Sequence, residues 1–270
     1  MKHDELAIGG GANCGVERRP SLRIEKYRAR LTLNRPAHHN RLHVEDLLAL
    51  QTHFSALAAN REVRLLVLTG GGTSFCSGFH LGDFDTRPTS GEDGPGLFEQ
   101  TVDALEALPM PTICRFNGSV YGGATDLGLA CDFRVGMDSM SLRMPAARLG
   151  LHYYPNGLRR YVTRLGLGAA KRLFLRAQTV PAADLLAMGY LDHVVPADQL
   201  DACVDQLADE LLAGAPLALR GMKASLNEIA RGEWDLARMA GRQAECASSD
   251  DLREGRLAFA EKRKPNFTRR

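Results

Sequence analysis

The chain is expected to be an α/β protein, on three observations. Short apolar runs of strand length, Arg64–Thr69 and Pro111–Phe116, alternate with longer segments whose apolar residues recur at helical spacing. Strand, helix and strand in succession imply parallel strands joined by right-handed crossovers. After Pro155 the spacing turns helical almost throughout, which adds a helical region at the C-terminal end.

Residues 1–20 hold Gly9-Gly-Gly11, Gly15 and Pro20 without apolar periodicity, and are expected to form a flexible leader. One or two strands follow between Leu22 and Leu33, closed by Asn34-Arg-Pro36. Val44–Ala59 places Leu47, Leu48, Leu50, Phe54 and Leu57 at helical spacing and reads as an amphipathic helix. Arg64–Thr69 is a buried strand and Thr86–Gly96 a polar, glycine- and proline-rich loop. Leu97–Leu108 is then a helix, Pro111–Phe116 a strand, Gly123–Ala130 a short helix and Phe133–Val135 a strand. A short strand, Asp192–Val195, interrupts the later helices, and Pro181, Pro196 and Pro216 stand where helices should start, since proline suits the first helical turn. The division is a core over 21–200 and a dependent helical region over 201–270, with no linker between them and no solenoid-type repeat in the sequence.

Bulk properties exclude several classes. A net charge of +2 leaves no electrostatic footprint for nucleic acid, and no apolar run approaches a membrane span. The basic cluster Lys262-Arg-Lys264 with Arg269-Arg270 reads either as a solvated tail or as attraction for a phosphate-bearing ligand. The six cysteines (14, 76, 114, 131, 203 and 246) show no C-x-x-C and no paired zinc spacing, which fits reduced thiols in a cytoplasmic protein. His38-His39, His43 and His53 form no metal-binding pattern, so neither a metal nor a cofactor is expected. The lysine-containing phosphate loop and the G-x-S-x-G elbow are both missing.

What stands out is a pair of glycine-bearing turns. Thr69-Gly-Gly-Gly-Thr-Ser-Phe-Cys-Ser-Gly-Phe79 and Gly118-Ser-Val-Tyr-Gly-Gly-Ala-Thr-Asp126 each follow an apolar strand. Glycine permits backbone conformations and close approaches that a Cβ forbids. Two such turns from neighbouring strands can aim two backbone N–H groups at one point, as an oxyanion hole does. Asp126 lies one helical turn from the second turn, which suits chemistry in which a carbonyl oxygen gains charge while a proton moves nearby.

The same residues resemble a family. Leu33-Asn-Arg-Pro36 with Asn40, Phe75-Cys-Ser-Gly-Phe79, Asn117–Asp126 and Cys131-Asp132 are similar to the enoyl-CoA hydratase/isomerase (crotonase) superfamily. So are Pro145-Ala-Ala-Arg-Leu-Gly-Leu151, Ala187-Met-Gly-Tyr-Leu-Asp-His-Val-Val195 and Glu261-Lys-Arg-Lys-Pro-Asn-Phe267, so that the likeness spans roughly 20–267. The resemblance implies a crotonase-like spiral of ββα units with a C-terminal helical region, assembled as a homotrimer or a dimer of trimers. It implies an acyl-CoA substrate, with no membrane or nucleic-acid partner and no cofactor beyond the coenzyme A of the thioester. It assigns the two oxyanion donors to the N–H groups of Phe79 and Gly123, and places Asp126 where the hydratases carry the first of two catalytic glutamates.

Two departures matter. Aspartate is one methylene shorter than glutamate, about 1.5 Å less in reach. Ala146 stands where the second glutamate would be, so hydration by two carboxylates around one water cannot run in the usual way. Nearby, Tyr153 matches a tyrosine of the superfamily's methylmalonyl-CoA decarboxylases, and His80, next to Phe79, stands close to their histidine. Three readings follow: hydration or a double-bond shift relying on Asp126, decarboxylation of a malonyl-type CoA assisted by Tyr153 and His80, or non-catalytic acyl-CoA binding. At least one hydroxyl of Tyr153 or Tyr154 is expected to face the cleft beside Gly123 and Asp126, with Tyr153 favoured.

Overall fold

Strand β3 (Leu65–Gly70) shows how the sequence builds the centre of the molecule. All six of its residues are buried, as in a parallel strand covered on both faces. Its side chains alternate: Leu66 and Leu68 join the interior of the spiral, whereas Leu65 and Val67 meet Leu200, Val204 and Leu207 on the opposite face. The computed structural model describes residues 19–80, 82 and 94–268. Most of the expected leader, and the expected loop 86–96 up to residue 93, lie outside the described residues.

Around β3 runs a six-stranded sheet in the order β1-β2-β3-β4-β6-β9. Its other members are β1 (Ser21–Glu25), β2 (Arg28–Leu33), β4 (Thr112–Phe116), β6 (Phe133–Met137) and β9 (His193–Val195). Only the β1–β2 pair is antiparallel; the remaining pairs are parallel. A second sheet, in the order β5-β7-β8, holds β5 (Val120–Tyr121), β7 (Ser141–Arg143) and β8 (Val180–Pro181). Isolated bridges Leu42↔Phe79 and Cys76↔Val120 carry this stack toward the N-terminal turns. Each turn thus lays one long strand in the first sheet and one short segment in the second, which is the expected spiral. The strands of the second sheet, two or three residues each, are too short to show period-two alternation, so the sequence reading passed over them.

Helices close the layers. In α1 (Val44–Ala59) the buried Leu47, Leu50, Phe54 and Leu57 form one stripe, and Asp46 caps the start by accepting the His43 N–H at 3.0 Å. Helices α2 (Gly94–Glu106), α3 (Ala124–Ala130) and α4 (Pro155–Arg176) pack in succession beside it. Within α4, Gly166 leaves helical geometry at φ 80° and breaks the helix. Pro155 and Pro216 open α4 and α7 (Pro216–Arg231) at the first turn, whereas Pro181 ends β8 immediately before α5 (Ala182–Ala187). Pro196 precedes a short 3-10 turn leading into α6 (Leu200–Leu212). Helices α8 (Leu236–Ala247) and α9 (Asp250–Glu261) are capped by the side chains of Asp235 and Ser249. The expected division near residue 200 falls at the start of α6, and α6 itself covers the outer face of the main sheet. No helix among the described residues is long and apolar enough to cross a membrane.

Two buried asparagines fix the turn after β3. Asn40 donates from Nδ2 to the carbonyls of Gly71, Ser74 and Phe75 at 2.8, 2.8 and 3.1 Å, and accepts the Arg35 N–H. Asn117 accepts the Gly70 N–H at 2.9 Å and donates to Gly72 and Ser74. Asn40 also has a φ of 53°, a conformation asparagine tolerates better than alanine. Asn40→Ala should therefore destabilise the protein by about 3 kcal/mol, the order expected when several carbonyls lose their donor. Urea unfolding should show a lower midpoint with an unchanged slope.

Candidate active site

The two glycine-bearing turns meet back to back. Gly78 has a φ of 96°, and an ideal Cβ built on it would lie 2.9 Å from the Tyr121 carbonyl oxygen and 3.4 Å from the Gly123 nitrogen. Only a residue without a Cβ permits that approach. The Leu42 N–H donates to Gly78 at 2.9 Å, the Tyr121 N–H to Cys76 at 3.0 Å and the Gly122 N–H to Arg143 at 2.9 Å, so main-chain bonds of the small sheet set the register. Gly123 then leads into α3 against the Phe98 ring, which a Cβ there would meet at 2.8 Å. Burial pushes the Cys76 thiol up to about 12, and its Sγ donates to the Asn40 carbonyl, so it acts as a structural donor.

Beside this junction lies a cavity of about 370 Å³. Phe79, Phe98, Leu149, Leu151, Tyr153 and Tyr154 make most of its apolar wall, and Gly78, Gly123 and Ala146 also face it. Among the described residues lining it, Glu99 is the only carboxylate and there is no lysine or arginine. A larger groove of about 530 Å³ among the C-terminal helices, lined by Leu252, Phe259 and Phe267, includes neither turn.

Asp126 is fully buried behind this wall and is not among the lining residues. Its Oδ2 accepts the Tyr154 hydroxyl at 2.5 Å and Arg160 Nη1 at 2.9 Å, while Oδ1 has no hydrogen-bond partner among the described residues. Burial raises the Asp126 carboxyl above the ordinary aspartate range. The charge of Arg160, with the hydrogen bonds from Tyr154 and Arg160, pulls the other way without cancelling it. Burial, reinforced by the neighbouring Asp126 charge, also holds the Tyr153 and Tyr154 phenols well above their usual range, so both are neutral at physiological pH.

Tyr154 is the residue that links wall and carboxylate. It occupies the cap position before Pro155 of α4, its ring stacks on Tyr153 with centroids 4.3 Å apart, and Phe98 meets it edge-on at 6.1 Å. Among the described residues the Tyr153 hydroxyl donates to that of Tyr154, at 3.4 Å. His80 is not among the lining residues; its ring lies 4.8 Å from that of His43, and its N–H donates to the Leu42 carbonyl. The structure thus gathers Phe79, Gly123, Tyr153 and Tyr154 at one cavity, sets Asp126 directly behind Tyr154, and leaves His80 apart.

Sequence reasoning passed over the residue that organises these groups. Arg160 is fully buried and pairs with Asp126, with Asp103 at 2.6 Å and with Glu106 at 3.1 Å. Its signal was present: Gly157, Arg160 and Tyr161 form the buried stripe of α4, so a charge falls where the helical spacing demands an apolar side chain. Burial opposes its charge, but Asp126 and Glu106 outweigh that and hold the guanidinium charged. Burial likewise acts to raise Glu106, yet Arg160, Arg164 and Arg159 together bring it below the usual carboxylate range.

Comparison with known proteins agrees with the fold. The family model described as enoyl-CoA hydratase/isomerase matches residues 24–270. A crotonyl-CoA hydratase of Syntrophomonas wolfei is 32% identical over 91% of this chain and 96% of its own length. A methylmalonyl-CoA decarboxylase of Escherichia coli is 29% identical over 76% of this chain and 81% of its own. The crystal structure of an enoyl-CoA hydratase/carnithine racemase from Magnetospirillum magneticum superposes with a TM-score of 0.87 at 28% identity, covering 94% of this chain and 96% of that one.

Glu106→Gln should cost roughly 3–5 kcal/mol, as expected when one partner of a buried ion network is removed. Because Glu106 is depressed below 4.5 in the fold, its stabilisation is complete above that value and is lost as pH falls through the lower folded one. Chemical denaturation across pH should show the difference between variant and parent shrinking toward acid.

Proposed function

Because this chain is an enzyme of the enoyl-CoA hydratase/isomerase family, we propose that it shifts the double bond of an acyl-CoA thioester through an enolate, held by the N–H groups of Phe79 and Gly123 with Asp126 as the acid/base carboxylate. The observation that carries this reading is the contact of the two turns at Gly78 and Gly123 on the wall of an apolar cavity. A thioester carbonyl placed there would meet main-chain donors against a largely apolar wall, where such donors stabilise developing charge more strongly than in water. A 1,3-proton shift needs a single proton-handling group that can give back at one carbon what it took from another. Hydration also needs a positioned water, and the methyl of Ala146 cannot hold one.

The wall favours an uncharged, apolar acyl group. A malonyl-type substrate would bring a second carboxylate into a cavity whose described lining holds Glu99 and no lysine or arginine, with His152 as its one basic side chain. The decarboxylase reading retains Tyr153 on the wall but not His80. We also propose that the protein works as a homotrimer or a dimer of trimers, because α7–α9 and the α7–α8 connection expose Leu226 at 65%, Trp234 at 63%, Leu236 at 74% and Phe259 at 88%.

Purified protein should convert 3-enoyl-CoA to 2-enoyl-CoA faster than it hydrates crotonyl-CoA or decarboxylates methylmalonyl-CoA. Decarboxylation as the fastest reaction would replace this reading, and binding without turnover on all three would make the protein a non-catalytic acyl-CoA binder. Ala146→Glu should raise crotonyl-CoA hydration by at least tenfold. Light scattering at micromolar concentration should return three or six times the subunit mass of 29.5 kDa, and a monomer contradicts the assembly.

A further inference from the structure

The acid/base carboxylate does not itself face the cavity. Asp126 is fully buried, and its Oδ2 accepts at 2.5 Å the hydroxyl of Tyr154, a residue that does line the cavity. We propose that the Tyr154 hydroxyl is the group that exchanges protons with the bound acyl chain, and that Asp126 works through it as a positioning and proton-holding residue. This rests on the enolate reading above and deepens it.

Three contacts hold Tyr154 for that work. Asp126 accepts its hydroxyl proton at 2.5 Å and the Tyr153 hydroxyl donates weakly to its oxygen at 3.4 Å, which leaves that oxygen room to accept one further proton. Tyr153 stacks on one face of its ring, and Phe98 lies edge-on against it. Phe98 is also the ring beneath Gly123 and has its centroid 6.1 Å from that of Phe79, so one aromatic cluster joins the phenol to both turns. Arg160 donates to the same Asp126 oxygen at 2.9 Å, so Oδ2 is fixed from two sides.

The proton inventory closes without a further reagent. As the C2–H bond breaks, its electron pair becomes the C1=C2 bond of the enolate, and the thioester C=O pair moves onto oxygen. The C2 proton passes to Tyr154 Oη while the phenol's own proton passes to Asp126 Oδ2. In the return step Tyr154 gives a proton to C4, Asp126 gives its proton back to Tyr154, and the double bond has moved from C3=C4 to C2=C3. No tyrosinate forms beside the Asp126 carboxylate at any stage, which avoids two like charges in a buried site.

Deuterium uptake at C2 of butanoyl-CoA in heavy water separates this step from the overall reaction. Mass spectrometry should show exchange by the parent enzyme. Tyr154→Phe and Asp126→Asn should each slow it by roughly 10²-fold or more, with butanoyl-CoA affinity by calorimetry within about threefold. The loss in Tyr153→Phe should be at least tenfold smaller. Full exchange in Tyr154→Phe with loss only in Asp126→Asn, or loss only in Glu99→Gln, overturns the role of Tyr154 and leaves the enolate reading standing. No exchange by the parent enzyme overturns both. If Tyr154→Phe fails to fold, 3-fluorotyrosine at position 154 decides: its more acidic phenol should change the exchange rate by about threefold or more at fixed pH, and an unchanged rate overturns the assignment.

Discussion

A guanidinium with no exposure to solvent must find its counter-charges inside the protein, and the site is arranged around that demand at Arg160. Desolvating an arginine costs several kcal/mol unless carboxylates and hydrogen bonds replace the lost water. Asp103 and Glu106 come from α2 and Asp126 from α3, and all three reach the same side chain on α4. Three helices are therefore tied at one point by directional bonds, whereas apolar packing alone would let them slide. Tyr154 and Pro155 stand where α4 begins, and Phe98 lies on α2. Fixing the helices by their charges also fixes the rings of the cavity wall.

The same network decides what kind of proton chemistry the site can host. A carboxylate beside an unshared arginine is held ionised and is a weak base. Here one cation serves three acids, and burial lifts Asp126 above its usual range even so. Glu106, with several arginines around it, goes the other way. Two carboxylates on one guanidinium are thus driven in opposite directions, one toward holding a proton more readily and one toward keeping its charge. Replacing the whole network by apolar side chains could give an equally stable protein, so its presence points to a purpose other than stability.

Much of this was legible in the sequence. The long strands and helices declared themselves by period, and the turns ending at Phe79 and Gly123 by their glycines, because those signals are local. The short strands β5, β7 and β8 did not, since their pairing depends on the register of neighbouring turns of the spiral. Asp126 was found, but not its depth: a residue in the first turn of a short helix can face either a cavity or the core, and only the packing of α4 over α3 decides which. Tyr153 and Tyr154 are adjacent, and the choice between their hydroxyls turns on the cap geometry at Pro155. Arg160 was the residue to look for, a charge inside an otherwise buried helical stripe.

The bridges Leu42↔Phe79 and Cys76↔Val120 have a consequence for how such a protein can evolve. They place main-chain groups at the junction of the turns through peptide units, whose chemistry every amino acid shares. Side chains around the junction are then free to change, apart from a few glycines and the two clamping asparagines, and the junction persists as long as the strands keep their alignment. An inserted or deleted residue between β3 and Phe79 would shift that alignment at once, whereas many substitutions would leave it alone. Lineages built on this plan should accumulate replacements quickly and length changes slowly in these segments. New specificities would arise by exchanging residues such as Ala146, Tyr153 and Tyr154 along the cavity wall, around an unchanged backbone.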